Sequence, residues 1–67
     1  MSSCTVNGRE HELEAGETVD RLLARLRFEG PYALVERNGE PVERERYADV
    51  ELANGDRILV ARPVAGG

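Results

Sequence analysis

Three Asn-Gly pairs, Asn7-Gly8, Asn38-Gly39 and Asn54-Gly55, punctuate the chain. Both residues accept positive φ, so the pair is the strongest short signal for a tight hairpin turn. Around the first pair, "SCTV" alternates Cys4 and Val6 with Thr5, giving that arm one apolar face. In the return arm Leu13 shares a face with His11, while Glu10, Glu12 and Glu14 face away. The spacing predicts an N-terminal hairpin with one side buried.

The next stretch, "GETVDRLLARLRF", changes period. Val19, Leu22, Leu23 and Leu26 fall at i, i+3, i+4 and i+7, the stripe of an amphipathic helix. Thr18 is the expected N-cap, Asp20 suits the positive end of the helix dipole, and Arg25 and Arg27 suit the other end. Gly30-Pro31 is the expected stop, with Phe28 folding back onto the core. "YALVER" reads as a strand that Asn38-Gly39 turns into "EPV", where Pro41 confines the piece to a sheet margin. "ERERYADV" is polar and reads as one irregular or helical turn anchored by Tyr47 and Val50. "ANGD" precedes "RILVAR", in which Ile58 and Val60 point one way and Leu59 and Ala61 the other. A strand apolar on both faces belongs in the centre of a sheet. The expected fold is α+β: a mixed sheet of four to five strands with one main helix packed on one face. The expected core is Cys4, Val6, Leu13, Val19, Leu22, Leu23, Leu26, Leu34, Leu52, Ile58 and Val60.

Size and charge then narrow the function. A chain of 67 residues is one domain. It has little room for a substrate cavity of about 300 Å³ with its own supporting shell, which weighs against a self-sufficient enzyme. The net charge of −4 and the absence of a basic run argue against nucleic-acid binding, where phosphate contacts dominate affinity. An acidic surface fits a basic docking face on a protein partner, or serves solubility alone. No apolar run reaches membrane-spanning length and no leader is visible, so a cytoplasmic location is expected. The single cysteine, Cys4, excludes a disulfide framework and reads as inert packing. His11 is the single histidine, which makes neither a triad nor a metal site. Glu10, Glu12, Glu14, Glu17, Glu43 and Glu45 read as a solvated face, and each Asn-Gly as a turn and nothing more.

The last residues, "RPVAGG", carry the chemistry. Pro63 has no N–H, so strand pairing is expected to end there. Val64, Ala65, Gly66 and Gly67 are small and uncharged. Two residues without Cβ can enter a slot too narrow for any other type. A carboxylate on Gly67 would be ionised at neutral pH and a poor acyl electrophile until another enzyme converts it to a mixed anhydride. Residues 1–62 read as the folded body and 63–67 as an extended tail.

The pattern "VNGRE", then "GETVDRLLARL", then "NGDRILVARPVAGG" resembles the ThiS family of β-grasp sulfur carriers over nearly the whole chain. The resemblance implies a ubiquitin-like sheet with the first and last strands parallel at its centre. It implies that a ThiF-like enzyme, using ATP and magnesium, adenylates Gly67. A persulfide donor then supplies sulfur to make a thiocarboxylate, which a ThiG-like thiazole synthase consumes in building the thiazole of thiamin. In that scheme the chain is a protein cosubstrate with no catalytic side chain, no metal and no bound cofactor, and Pro63, Val64, Ala65 and Gly66 are read by the partner. Carriers of the MoaD family, and those serving tRNA thiolation or cysteine synthesis, end the same way; the short linker here favours ThiS. A different reading is a non-catalytic interaction module, docking through Leu59 and Ala61 with Leu34 or Val35.

Overall fold

The computed structural model describes residues 1–28 and 34–61. In chain order the elements are β1 (Ser2–Val6), β2 (Arg9–Leu13), α1 (Val19–Arg25), β3 (Leu34–Arg37), β4 (Glu40–Val42), a 3-10 turn at Arg44–Arg46, and β5 (Arg57–Ala61). The strands form one five-stranded sheet in the order β2-β1-β5-β3-β4. β1 and β5 run parallel, and every other neighbour is antiparallel. The expected α+β class, the central last strand and the edge position of the Pro41 strand are all present.

Asn7 and Gly8 both take positive φ (51° and 85°), as do Asn38 and Gly39 (53° and 87°). These are the values of type I′ turns, whose twist matches that of the flanking strands. At the third pair only Gly55 is positive, at φ 87°. That turn, closed by Asp56 N–H donating to Ala53 O at 3.1 Å, does not join two adjacent strands.

The Asn-Gly pairs do more than turn the chain, which corrects the sequence reading. Ser3 N–H donates to Asn54 Oδ1 at 2.9 Å, tying the third turn to β1. Arg57 N–H donates to Asn38 Oδ1 at 2.8 Å, and Asn38 Nδ2 donates to Asp56 Oδ1 at 3.0 Å. Asp56 is 6% exposed and also accepts from Ala53 N–H and Arg37 Nε, each at 2.8 Å. Burial alone would raise the Asp56 carboxyl, but these N–H donors together outweigh it and hold the group below its usual range. The base of β5 is thus fixed by a buried carboxylate whose hydrogen bonds are made.

The helix packs Val19, Leu22 and Leu23 against Cys4, Val6, Val35, Leu52, Ile58 and Val60. Leu13, Leu26, Phe28, Val42, Tyr47 and Val50 pack around this centre. Thr18 occupies the N-cap but its side chain does not cap; its hydroxyl donates to Asp20 Oδ1. The first helical N–H groups go instead to the polar segment: Val19 N–H donates to Val50 O and Asp20 N–H to Tyr47 O, each at 3.0 Å. The segment "ERERYADV" therefore serves as a backbone cap for α1.

Two expectations about α1 and its surroundings need correction. The helix ends before Gly30-Pro31, a pair outside the described residues. Leu26 is the C-cap, and Arg27 takes a left-handed φ of 64°. Phe28 N–H donates to Leu23 O and Arg27 N–H to Ala24 O, the paired bonds of a Schellman motif. Glu17 is not part of a solvated face. It is 4% exposed and accepts from Arg25 Nε at 2.9 Å and Arg25 Nη2 at 2.8 Å. Glu14 N–H adds a third bond at 3.0 Å, and Arg25 Nη2 also reaches Glu12 O at 2.8 Å. The guanidinium, more than any other neighbour, holds the Glu17 carboxyl below its usual range.

Candidate functional site: the end of β5 and the open sheet face

β5 alternates strictly. Ile58 and Val60 are buried under the helix, while Arg57, Leu59 and Ala61 face out. Its pairing partners fix what stands beside each residue. Leu34 lies opposite Ala61, Glu36 opposite Leu59, and Val35 opposite Val60. Across the parallel pair Thr5 stands beside Arg57. The face away from the helix therefore gathers Leu34 (60% exposed), Leu59 (52% exposed) and Ala61 where β5 ends, next to residue 62.

This arrangement divides the expected docking residues. Leu34, Leu59 and Ala61 share the open face, but Val35 does not: it is 2% exposed and belongs to the core. Leu34 in turn is not a core residue. Two adjacent apolar residues on one strand cannot both face the helix, and pairing with buried Val60 assigns the inner position to Val35.

The upper end of β5 has a support that sequence reasoning missed. β1 reverses at Asn7-Gly8, so its backbone cannot follow β5 beyond Ile58; the last rung is Asn7 N–H donating to Ile58 O at 2.9 Å. The Asn7 side chain supplies the next one. Val60 N–H donates to Asn7 Oδ1 at 2.8 Å, and Asn7 Nδ2 donates to Val60 O at 3.2 Å. The carboxamide behaves as one more peptide group of β1. On the opposite edge β3 pairs with β5 through Ala61. The strand is thereby held on both sides up to its last residues.

The remaining candidates sit elsewhere. Cys4 is buried opposite His11 across the β1–β2 ladder. Burial, then the negative charges of Glu17 and Asp56, push its thiol upward, the wrong direction for a nucleophile. Among the described residues no three His, Cys, Asp or Glu side chains converge as a metal site, and no helix is long and apolar enough to cross a membrane. Pro63, Val64, Ala65, Gly66 and Gly67, and the expected boundary between residues 62 and 63, lie outside the described residues.

The family model described as the ThiS family matches residues 3–67. The chain belongs to the ThiS family.

A solved structure described as thiamine biosynthesis protein (ThiS) from Geobacter metallireducens superposes with a TM-score of 0.78 at 32% identity, covering 97% of this chain and 99% of that one. The five-stranded sheet with α1 packed on it is thus the ubiquitin-like β-grasp of ThiS. The sulfur carrier protein ThiS of Bacillus subtilis is 42% identical over 50 residues, spanning 75% of this chain and 76% of that protein. Two proteins named thiazole synthase match over 92% of this chain, one from Magnetococcus marinus at 40% identity and one from Paramagnetospirillum magneticum at 36%. This chain spans 19% of the length of each of those two.

Proposed function

We propose that this ThiS-family chain is a sulfur carrier for thiamin biosynthesis and that the Gly67 carboxylate is the group that carries the sulfur. The family match running through residue 67 carries this reading, because it extends the likeness across the Gly-Gly end as well as the folded body. The chemistry follows from the carboxylate itself. As an anion it resists attack at carbon. A ThiF-like partner, with ATP and magnesium, makes it attack the α-phosphorus; pyrophosphate leaves and an acyl-adenylate forms. The terminal sulfur of a persulfide donor then displaces AMP, and a second thiol cleaves the resulting S–S bond. The acyl group keeps one sulfur as a thiocarboxylate. ATP and magnesium belong to the partner, and this chain contributes no catalytic side chain, acting as a cosubstrate in the cytoplasm.

A ThiG-like thiazole synthase is the proposed consumer. Support comes from the two thiazole synthases that contain a segment similar to this chain within much longer sequences. Their names favour thiazole formation over molybdopterin synthesis, tRNA thiolation or cysteine synthesis. The body holds β5 firmly, and Pro63, Val64, Ala65 and Gly66 form the segment that a narrow partner channel would accept. Leu34, Leu59 and Ala61 are the proposed docking face beside it, of a size that single hot-spot residues can dominate.

The test is ATP–pyrophosphate exchange by a ThiF-type enzyme with this chain as acceptor. Exchange is expected with the intact chain and lost on deletion of Gly67, with the thermal melt unchanged. Exchange that survives the deletion would refute Gly67 as the acceptor. An interaction module with an idle tail predicts the reverse pattern: binding lost in Leu59→Asp and unaffected by the deletion.

A further inference from the structure

We propose that Asn7 is a positioning residue for the C-terminal segment, acting through Val60; the inference rests on the carrier reading above. In a parallel pair the rung after Asn7 N–H to Ile58 O would run from Val60 N–H to the Asn7 carbonyl, and the following one from residue 9 to Val60 O. The chain reverses at Asn7-Gly8, so the Asn7 carbonyl lies in the turn and Arg9 already pairs with Val6 in β2. The Asn7 carboxamide takes both places, Oδ1 for the missing carbonyl and Nδ2 for the missing N–H. Residue and site are matched in a second way. Asn7 must also hold φ 51° as the first residue of a type I′ turn. Glycine satisfies the turn without the rung. Aspartate satisfies the turn and accepts from Val60 N–H, but sets a second oxygen against Val60 O. Asparagine alone of the three satisfies both. The consequence for function is that β5 is fixed on both edges up to its last residues, so the segment that follows starts from a defined point. A loosened strand end would spread that point over many positions, and productive entry into a partner site would become rarer.

The experiment compares Asn7→Asp and Asn7→Gly with Asn38→Gly, a change in the other type I′ turn that removes side-chain bonds at the opposite end of β5. Amide hydrogen exchange reads Val60 against Leu22, whose N–H donates to Thr18 O in α1, away from both substituted turns. Asn7→Gly is expected to lower Val60 protection relative to Leu22 by about 10- to 30-fold, Asn7→Asp by less because its carboxylate still accepts from Val60 N–H, and Asn38→Gly to leave the ratio unchanged. In activation by a ThiF-type enzyme, the Asn7 variants are expected to lose at least about tenfold in kcat/KM, with Asn38→Gly close to wild type. Aspartate is the informative change, because a residue needed only for the turn would tolerate it. Wild-type protection in Asn7→Gly, wild-type activation in Asn7→Asp, or lost protection with normal activation, overturns the proposal. Failure of the wild-type chain to be activated at all would instead count against the carrier reading, and the exchange ratio would still decide whether Asn7 fixes the strand end.

Discussion

Arg25→Ala tests the account of stability most sharply. The Glu17 side chain is 3% exposed and its carboxylate accepts two bonds from Arg25 and one from Glu14 N–H. Truncating Arg25 leaves that carboxylate buried with a single donor. Breaking a buried pair from one side costs about 3–5 kcal/mol. The Arg25 side chain is 35% exposed, so water can reach part of the vacated space, and the expected loss falls to about 2–3 kcal/mol. A domain of this length is stable by roughly 3–10 kcal/mol, so the variant keeps only part of its margin. Urea denaturation followed by circular dichroism at pH 7 reads the loss; with a slope near the small-protein value of about 1 kcal/mol/M, the midpoint drops by about 2–3 M. The dependence on pH has a definite sign. The folded-state Glu17 pKa is depressed below its unfolded value, so the pair's stabilisation is fully present above the unfolded carboxylate range and is lost as pH falls through the folded pKa. The gap between wild type and Arg25→Ala is therefore expected to shrink on acidification. Adding Glu17→Gln to Arg25→Ala is expected to recover part of the loss at pH 7, since a buried amide is cheaper than a buried unpaired charge. A difference below about 0.5 kcal/mol at pH 7, the size of an ordinary surface change, or one that is constant with pH, would refute the reasoning.

Arg27 holds a left-handed conformation at the end of α1, so Arg27→Gly is expected to stabilise the domain by about 0.5–1 kcal/mol and raise Tm by several degrees; a lowered Tm in a thermal melt would contradict this. Ile58→Val, at the buried centre of β5, is expected to cost about 1 kcal/mol, and a neutral result in denaturant titration would mean the core is not centred there. Leu59→Asp is expected to cost about 1–2 kcal/mol, because it sets a second carboxylate opposite Glu36, and to weaken association of the still-folded domain with an activating enzyme, measured by calorimetry; unchanged affinity would remove the open face from the docking account. Gly66→Ala is expected to raise KM in activation and leave the melt unchanged, because an added Cβ would not fit a partner slot narrow enough to select glycine; an unchanged KM would count against such a slot.

The parts of the fold that were legible are those set by local rules. The type I′ turns followed from residue types that accept positive φ, and α1 followed from the spacing of Val19, Leu22, Leu23 and Leu26. What sequence alone missed depends on pairing between distant segments. "YALVER" offers Leu34 and Val35 in succession, and only the register against β5 decides that Val35 goes inside. Glu17 resembles its acidic neighbours by type, and its burial depends on Arg25 coming round one helical face to meet it. Asn7 carries so strong a turn signal that its second use, the bonds to Val60, is invisible without the sheet. Gly30-Pro31 is a stronger stop signal than Arg27, yet α1 ends at Arg25 with Leu26 as its cap, because the Schellman bonds of Arg27 and Phe28 satisfy its last carbonyls. For the candidate site the balance differs: its docking face needed the sheet, while its reacting group was read from residue chemistry and family likeness alone.

Intact-mass spectrometry of the chain isolated from its own cells bears most directly on the sulfur-carrier account. A population ending at Gly67, heavier than the free acid by the replacement of one oxygen with sulfur, is the predicted result. A chain that always continues past Gly67, or ends there and never acquires sulfur even with an activating enzyme and a sulfur donor present, would contradict it.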